Sequence, residues 1–505
     1  MKKTKSIISI ILILSVLLSG CAAGAPNMAP TSALSGNYDT ALKPAPPGED
    51  LTGESYTEIR ENQFVNAVEN NTSYFSIDAN TTAYPNLRSM IRQKFHHISA
   101  DAVRIEEMLN YFDYDYIAPT DGSVLALTAS MFDTPYNSET KLLTIGLAAQ
   151  EVEFSSIQNN LVFLIDTSGS MFGPDRLELV QTAFMMLAEN LNPEDRVSIV
   201  TYAGDSSVAL EGAYGYEKQK IMAVIEDLQA GGSTAGSKGI QTAYKLAERY
   251  FIEGGTNRVI LATDGDFNVG VTSEKGLENL ISEKRQSGVY FSVFGVGRGN
   301  LQSDKMETLA LKGNGTCSYI DSQKEARRAL VEQIGGSMIT VAKDVKAGIT
   351  FNQDYIESYR LIGYENKLLT QEEFEDANTD AGELGSGHTV TVVYEVKLTE
   401  KVLEAGENLA QVIIKYKPTE NVDGNGEEQE LILDVGTEAY GQASQQDAFV
   451  AAVVEFALIL RNSEFKKDAS LQDLAARLES LDLSDDAFKE EFRSLVLEYM
   501  DQQKQ

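Results

Sequence analysis

The spacing of apolar residues changes several times along the chain, and each change marks a different kind of segment. Ile7 to Leu18 is an apolar run of 12 residues broken only by Ser9 and Ser15. That is shorter than the ~20 residues of a membrane-spanning helix and fits the core of an export signal. Periodicity then disappears. Residues 22–54 are rich in Ala, Pro, Gly, Ser and Thr, with Pro44-Ala45-Pro46-Pro47-Gly48, the composition of a tether. From about 55 to 118 the pattern is helical, with Ser99 as an expected N-cap and Val103, Met108, Leu109 and Phe112 on one face. Residues 124–132 and 142–148 read as strands.

Residues 160–338 alternate strands and helices. Leu161–Ile165 is a continuous apolar run, as a strand buried on both faces requires. Leu177, Val180, Phe184, Leu187 and Leu191 recur at helical spacing. Strands are expected at 197–202, 258–263 and 289–296, and helices at 237–251, 274–286, 304–312 and 323–338. Such repetition predicts a parallel sheet with helices on both faces. Beyond about 343 the pattern becomes antiparallel β, with strands at 345–351, 358–364, 388–398, 409–417 and 429–435. The earlier strands at 124–148 have no sheet of their own. They are expected to join the later ones in one sandwich, with the α/β domain inserted between. Helices close the chain at 445–461, 470–480 and 484–500, with Ser484 as the expected cap of the last. The boundaries that follow are a leader at 1–21, a tether at 22–54, an N-terminal region at 55–158, the α/β domain at 159–340, a β-rich domain at 341–440 and a helical region at 441–505.

Composition narrows the function classes. The formal net charge is −33, and loss of a leader with three lysines and no acid would make it more negative still. Such a surface repels phosphate backbones, so nucleic acid is not an expected partner. Three histidines and two cysteines offer no CxxC or HExxH pattern, so no zinc cluster is expected. Lys2, Lys3 and Lys5 precede the apolar run, and Leu18-Ser19-Gly20-Cys21 ends it. This end resembles the bacterial lipobox, in which the cysteine thiol takes the lipid. The resemblance implies that Cys21 is the mature N-terminus and that acyl chains anchor the protein to the extracytoplasmic face of a bacterial membrane. Cys317 would then have no disulfide partner within the chain and is expected to be a buried thiol. Asn421 to Glu427 lacks the full spacing of a calcium loop and is expected to be a hairpin turn.

Chemistry concentrates at predicted strand ends. Asp166-Thr167-Ser168-Gly169-Ser170 follows the 161–165 strand, and its alternate oxygens can converge in one loop. Gly169 is expected to permit the tight turn. Gly231-Gly232-Ser233-Thr234 precedes the helix at 237, and Thr263-Asp264-Gly265-Asp266 follows the strand at 258–263. Carboxyl ends of parallel strands are where open α/β sheets bind ligands. Asp166, Ser168, Ser170, Thr234 and Asp264 together supply hydroxyls and carboxylates, hard donors suited to Mg²⁺, with Mn²⁺ and Ca²⁺ as alternatives.

The three segments resemble the metal-ion-dependent adhesion site of von Willebrand factor A (VWA) domains, with Thr234 and Asp264 lying 68 and 98 residues after Asp166. The resemblance implies a Rossmann-like, doubly wound sheet. It also implies that Ser168, Ser170 and Thr234 give hydroxyl ligands and that Asp166 and Asp264 act directly or through water. Phe75 to Asp78, Arg104 to Phe112, Thr263 to Gly270, Tyr359 to Asn366 and Gly385 to Val390 further resemble the bacterial YfbK-type lipoproteins over nearly all of 55–500. Asn80 departs from the family pattern, which has an acid there.

The expected function is therefore a surface lipoprotein whose cation captures an Asp or Glu of a partner protein. The alternative is an envelope structural or assembly protein in which metal only stabilises the domain. Catalysis is not expected, because no second metal set and no placed general base are visible.

Overall fold

A computed structural model describes residues 54–504, apart from 78, 96, 121, 233–235, 266–273, 298–300 and 423. The leader, Cys21, the tether and Thr234 lie outside the described residues.

The apolar run at 161–165 is buried because helices cover both of its faces. The strand Asn159–Asp166 lies within a six-stranded sheet. Beside it on one side come Thr256–Thr263, Tyr290–Gly295 and Cys317–Tyr319; on the other come Arg196–Ala203 and Asp205–Tyr214. All neighbours are parallel except Asp205–Tyr214, which runs antiparallel at one edge. Leu161, Phe163 and Ile165 pack with the helix Leu177–Glu189, and Phe163 stacks on Phe184 at 4.4 Å. Val162 and Leu164 pack on the opposite face with Ile240, Ala243 and Ala247 of the helix Gly236–Arg249. Each such side chain removed from water contributes about 1.5–3 kcal/mol. The doubly wound α/β class expected from the sequence is what the chain adopts.

This domain interrupts an antiparallel region made of two sheets, as a sandwich requires. Lys141–Ala149 leads into the α/β domain yet pairs with Thr389–Leu398, which lies beyond it. Leu125–Asp133, Ile356–Ile362 and Val65–Asn66 complete that sheet. Thr340–Phe351 instead pairs with Thr72–Ser76, Gly382–Gly385 and Asn408–Pro418, and Gln429–Gly436 extends the second sheet. Ile145 and Val392 from one sheet share a core with Ile349 and Val412 from the other. Helices Ala83–Arg92, Ile105–Asn110, Gln445–Arg461, Leu471–Ser480 and Ala487–Gln502 form a separate core with Leu142, Ile362 and Val393. Among the described residues no helix is long and apolar enough to cross a membrane.

Several local expectations are corrected. Ser99 caps only a short 3₁₀ turn, Ala100–Ala102, and the helix carrying Met108 and Leu109 begins at Ile105. Asp486, not Ser484, caps the last helix, accepting from the N–H groups of Phe488 and Lys489. The helix expected over 323–338 is broken into Gln323–Arg327, a π turn at Arg328–Glu332, and Ile334–Met338. Cys317 is a buried thiol, as expected.

Candidate metal centre

The central strand ends on Asp166, which is fully buried. The backbone N–H of Ser168 donates to Asp166 Oδ1 at 2.9 Å and folds the loop back over the strand end. A 3₁₀ turn at Gly169–Met171 then brings the Ser168 and Ser170 hydroxyls within 2.9 Å of each other. The adjacent strand, Thr256–Thr263, ends beside them. Its Thr263 hydroxyl donates to Asp166 Oδ2 at 3.2 Å, and the Ser170 hydroxyl donates to Asp264 Oδ1 at 3.2 Å. Asp264 and Ser168 are each 1% exposed.

Neighbouring loops hold this arrangement. Gly169 N–H donates to the Gly232 carbonyl at 3.1 Å, and Gly231 N–H donates to the Thr167 carbonyl at 2.8 Å. The left-handed backbone in the site lies at Gly232 (φ +90°) and Gly265 (φ +100°), where a side chain would be strained. Gly169 lacks that conformation, so the turn does not require glycine there, contrary to expectation. Arg176 braces the loop from the other side, donating from Nη1 to the Ser170 carbonyl at 2.7 Å, with its Nε 3.9 Å from Asp264.

Burial, with the negative charge of Asp264 adding to it, raises the Asp166 carboxyl above the usual range against the pull of the Ser168 N–H and hydroxyl. Burial and Asp166 likewise push the Tyr202 phenol well up. Two buried carboxylates side by side oppose their own ionisation, and a cation between them removes that cost. Among the described residues no three His, Cys, Asp or Glu side chains gather into a metal-binding group; the two acids here stand among hydroxyls. Hydroxyls and carboxylates of this kind fit a hard divalent ion.

Asp166, Ser168, Ser170 and Asp264 are thus brought together. Thr234 lies outside the described residues, although Gly231 and Gly232 of its segment are bonded to the loop that carries Ser168 and Ser170. Two contributors were not foreseen. Thr263 gave a signal, since it sits at the end of a strand beside Asp264. Arg176 gave none, because an arginine beside an expected cation site runs against simple charge matching.

Residues 160–333 match the von Willebrand factor type A domain, residues 50–144 match the family described as von Willebrand factor, and residues 336–501 match "Uncharacterized protein YfbK, C-terminal". The chain is 37% identical over 443 residues to "Uncharacterized protein YfbK" of Escherichia coli K12, covering 83% of this chain and 76% of that one. It is 28% identical over 197 residues to bovine inter-alpha-trypsin inhibitor heavy chain H3, covering 36% of this chain but only 22% of that protein. Among solved structures it is similar to a von Willebrand factor type A protein from Catenulispora acidiphila, at 15% identity and a TM-score of 0.39, over 68% of this chain and 80% of that one. On the match to YfbK across three quarters of that protein's length, the chain belongs to the YfbK-like family of VWA-containing proteins.

Proposed function

We propose that this protein captures an acidic side chain of a partner protein through a divalent cation, Mg²⁺ first, held by Asp166, Ser168, Ser170, Thr234 and Asp264. The observation that carries the reading is the convergence of two buried carboxylates and two hydroxyls at the ends of adjacent parallel strands. When bound, the cation supplies an electrophilic point with a coordination position for a partner's Asp or Glu. Asp166 and Asp264 balance its charge, and the two serine hydroxyls leave it electrophilic. Binding rather than catalysis is part of this proposal, because the sequence offers no second metal set and no placed general base.

The leader ending at Cys21 supports export and anchoring by acyl chains on the outer side of a bacterial membrane. The test is capture from envelope extract by the immobilised protein, with Mg²⁺, with EDTA, and with Asp166→Ala. The reading expects capture with Mg²⁺ alone, lost in the variant. Metal-dependent stability with capture unchanged by the substitution would instead favour an envelope structural role.

A further inference from the structure

The chain crosses between the β region and the VWA domain twice, inward over residues 150–158 and outward over Ile334–Met338. The crossings stand at the start of the strand Asn159–Asp166, the end opposite the strand-end acids. One turn of the β region fastens both. Ser386 N–H donates to the Ile339 carbonyl at 2.8 Å, Gly387 N–H to the Gln150 carbonyl at 3.1 Å, and the Ser386 hydroxyl to the Val152 carbonyl at 3.0 Å. A cleft of about 500 Å³ lies between the crossings, within the size range of ligand sites. Its walls carry four carboxylates, Asp113, Glu151, Glu153 and Glu332, and no lysine or arginine. Asp113 accepts from Gln333 Nε2 at 3.0 Å, and none of the four pairs with a Lys or Arg among the described residues. Cations close by are bonded elsewhere: Arg328 to Glu325 and the Tyr111 carbonyl, and Lys218 to the Glu189 carbonyl.

Acids are ordinary on the surface of a chain at −33 and do not by themselves make a site. His388, also in the lining, adds a second requirement. Its Nδ1 accepts from Gly385 N–H, so the ring proton sits on Nε2. That N–H meets no acceptor among the described residues, and Gly336 leaves room beside it that any side chain would fill. An occupant therefore needs positive charge for the carboxylates and an acceptor oxygen for His388. A bare metal ion does not fit: no three of the described acids and histidines gather closely enough to hold one, and a protonated Nε2 cannot ligate. A polyamine brings charge but only donors. A peptide segment with Arg or Lys brings both, since its backbone carbonyl lies near the charged side chain. We propose that this cleft binds a basic peptide segment of a partner protein, with an Arg or Lys side chain among Glu151, Glu153 and Glu332 and a neighbouring carbonyl on His388 Nε2. The site is independent of the metal centre at the other end of the sheet. The negative field of the protein draws such a partner in.

The test is ligand-observed saturation-transfer NMR on the full chain in EDTA at low salt, with acetyl-Gly-Arg-Gly-amide as the probe. Saturable binding is expected, about tenfold tighter than for acetyl-Gly-Gln-Gly-amide and weakened by NaCl. Butylguanidinium has the charge and no carbonyl, and should bind about fivefold more weakly than the Arg peptide, the worth of one hydrogen bond. The triple variant Glu151→Gln, Glu153→Gln, Glu332→Gln should bind the peptide about tenfold more weakly than wild type. A control with the same net charge, Glu69→Gln, Glu400→Gln, Glu407→Gln, changes exposed acids elsewhere and should bind as wild type does. Equal losses in the two triple variants, or no preference for the Arg peptide over the Gln peptide, overturns the site. Butylguanidinium binding as tightly as the peptide, or spermidine binding more tightly, overturns the peptide as occupant. EDTA keeps the metal centre out of the measurement, so failure here leaves metal-dependent capture standing, and failure of that reading leaves this one standing.

Discussion

Two regions of this protein bury carboxylates, and they treat the charge differently. On the flank where the VWA domain meets the helical layer, guanidinium groups answer the acids. Arg88, 1% exposed, reaches Asp321 at 2.6 Å, Glu325 at 2.8 Å and Glu491 at 2.7 Å. One side chain thus ties the N-terminal helix Ala83–Arg92 to the end of the VWA domain and to the last helix. Arg104 meets Glu307 at 3.2 Å, and within the antiparallel sheet Arg360 likewise meets Glu395 at 2.7 Å. At the strand ends, by contrast, Asp166 is held by a backbone N–H and a hydroxyl, and the nearest guanidinium to Asp264 stands 3.9 Å away. Burial of charge alone therefore does not mark a binding site. Buried acids with close guanidinium partners hold segments together; the strand-end acids, bonded to hydroxyls and a backbone N–H with Arg176 farther off, are the ones we propose for a cation.

The largest expected effect lies on the matched flank. Arg88→Met leaves buried acids uncompensated and should lower stability by about 3–5 kcal/mol, read from urea denaturation. A loss under 1 kcal/mol would show that the flank does not depend on that charge.

The β region contains a group held uncharged. Burial and the positive charges of Arg328 and Arg258 lower the His388 imidazole from 6.5 to about 4. Its Nδ1 accepts from Gly385 N–H at 3.1 Å, which requires the neutral ring. The folded value lies below the unfolded one, so between them the unfolded chain takes a proton that the native state refuses. This contribution is whole above about pH 6.5 and is lost as pH falls toward 4, with a slope of at most about 1.4 kcal/mol per pH unit. Denaturation across that window should be less pH-dependent in His388→Gln, and identical profiles would remove His388 from the account.

The smallest effect sharpens the contrast. In metal-free buffer Asp166→Asn removes one of two like charges, so stability should rise or stay within about 1 kcal/mol of wild type. A loss as large as that of Arg88→Met would mean that the strand-end acids are structural too.

Sequence reading reached these two regions unequally. The run Leu161–Ile165 and the helical spacing from Leu177 announced the parallel sheet, because both faces of that strand are buried. Asp166, Ser168 and Ser170 were legible because alternate spacing in a strand-end loop is a local property. The edge strand Asp205–Tyr214 escaped notice because it is largely exposed, and its polar residues show no alternation. Gly382–Gly385 is too short and glycine-rich to read as a strand. The matched flank was hardly legible, since Arg88 meets acids more than 200 residues away. Asn80 shows the same limit. Its Oδ1 accepts from Cys317 N–H at 3.0 Å, docking the N-terminal region onto the VWA edge strand, a contact that a carboxylate could equally make.

The most direct measurement is calorimetric titration of the full, metal-stripped protein with Mg²⁺, alongside Asp166→Ala and Ser168→Ala. One saturable site should be seen in wild type and lost or greatly weakened in both variants, with thermal stability rising by about 2.7 kcal/mol at a hundredfold excess over Kd. No saturable Mg²⁺, Mn²⁺ or Ca²⁺ binding in wild type, or equal binding in the variants, would contradict the claim that these strand-end acids and hydroxyls form a cation site.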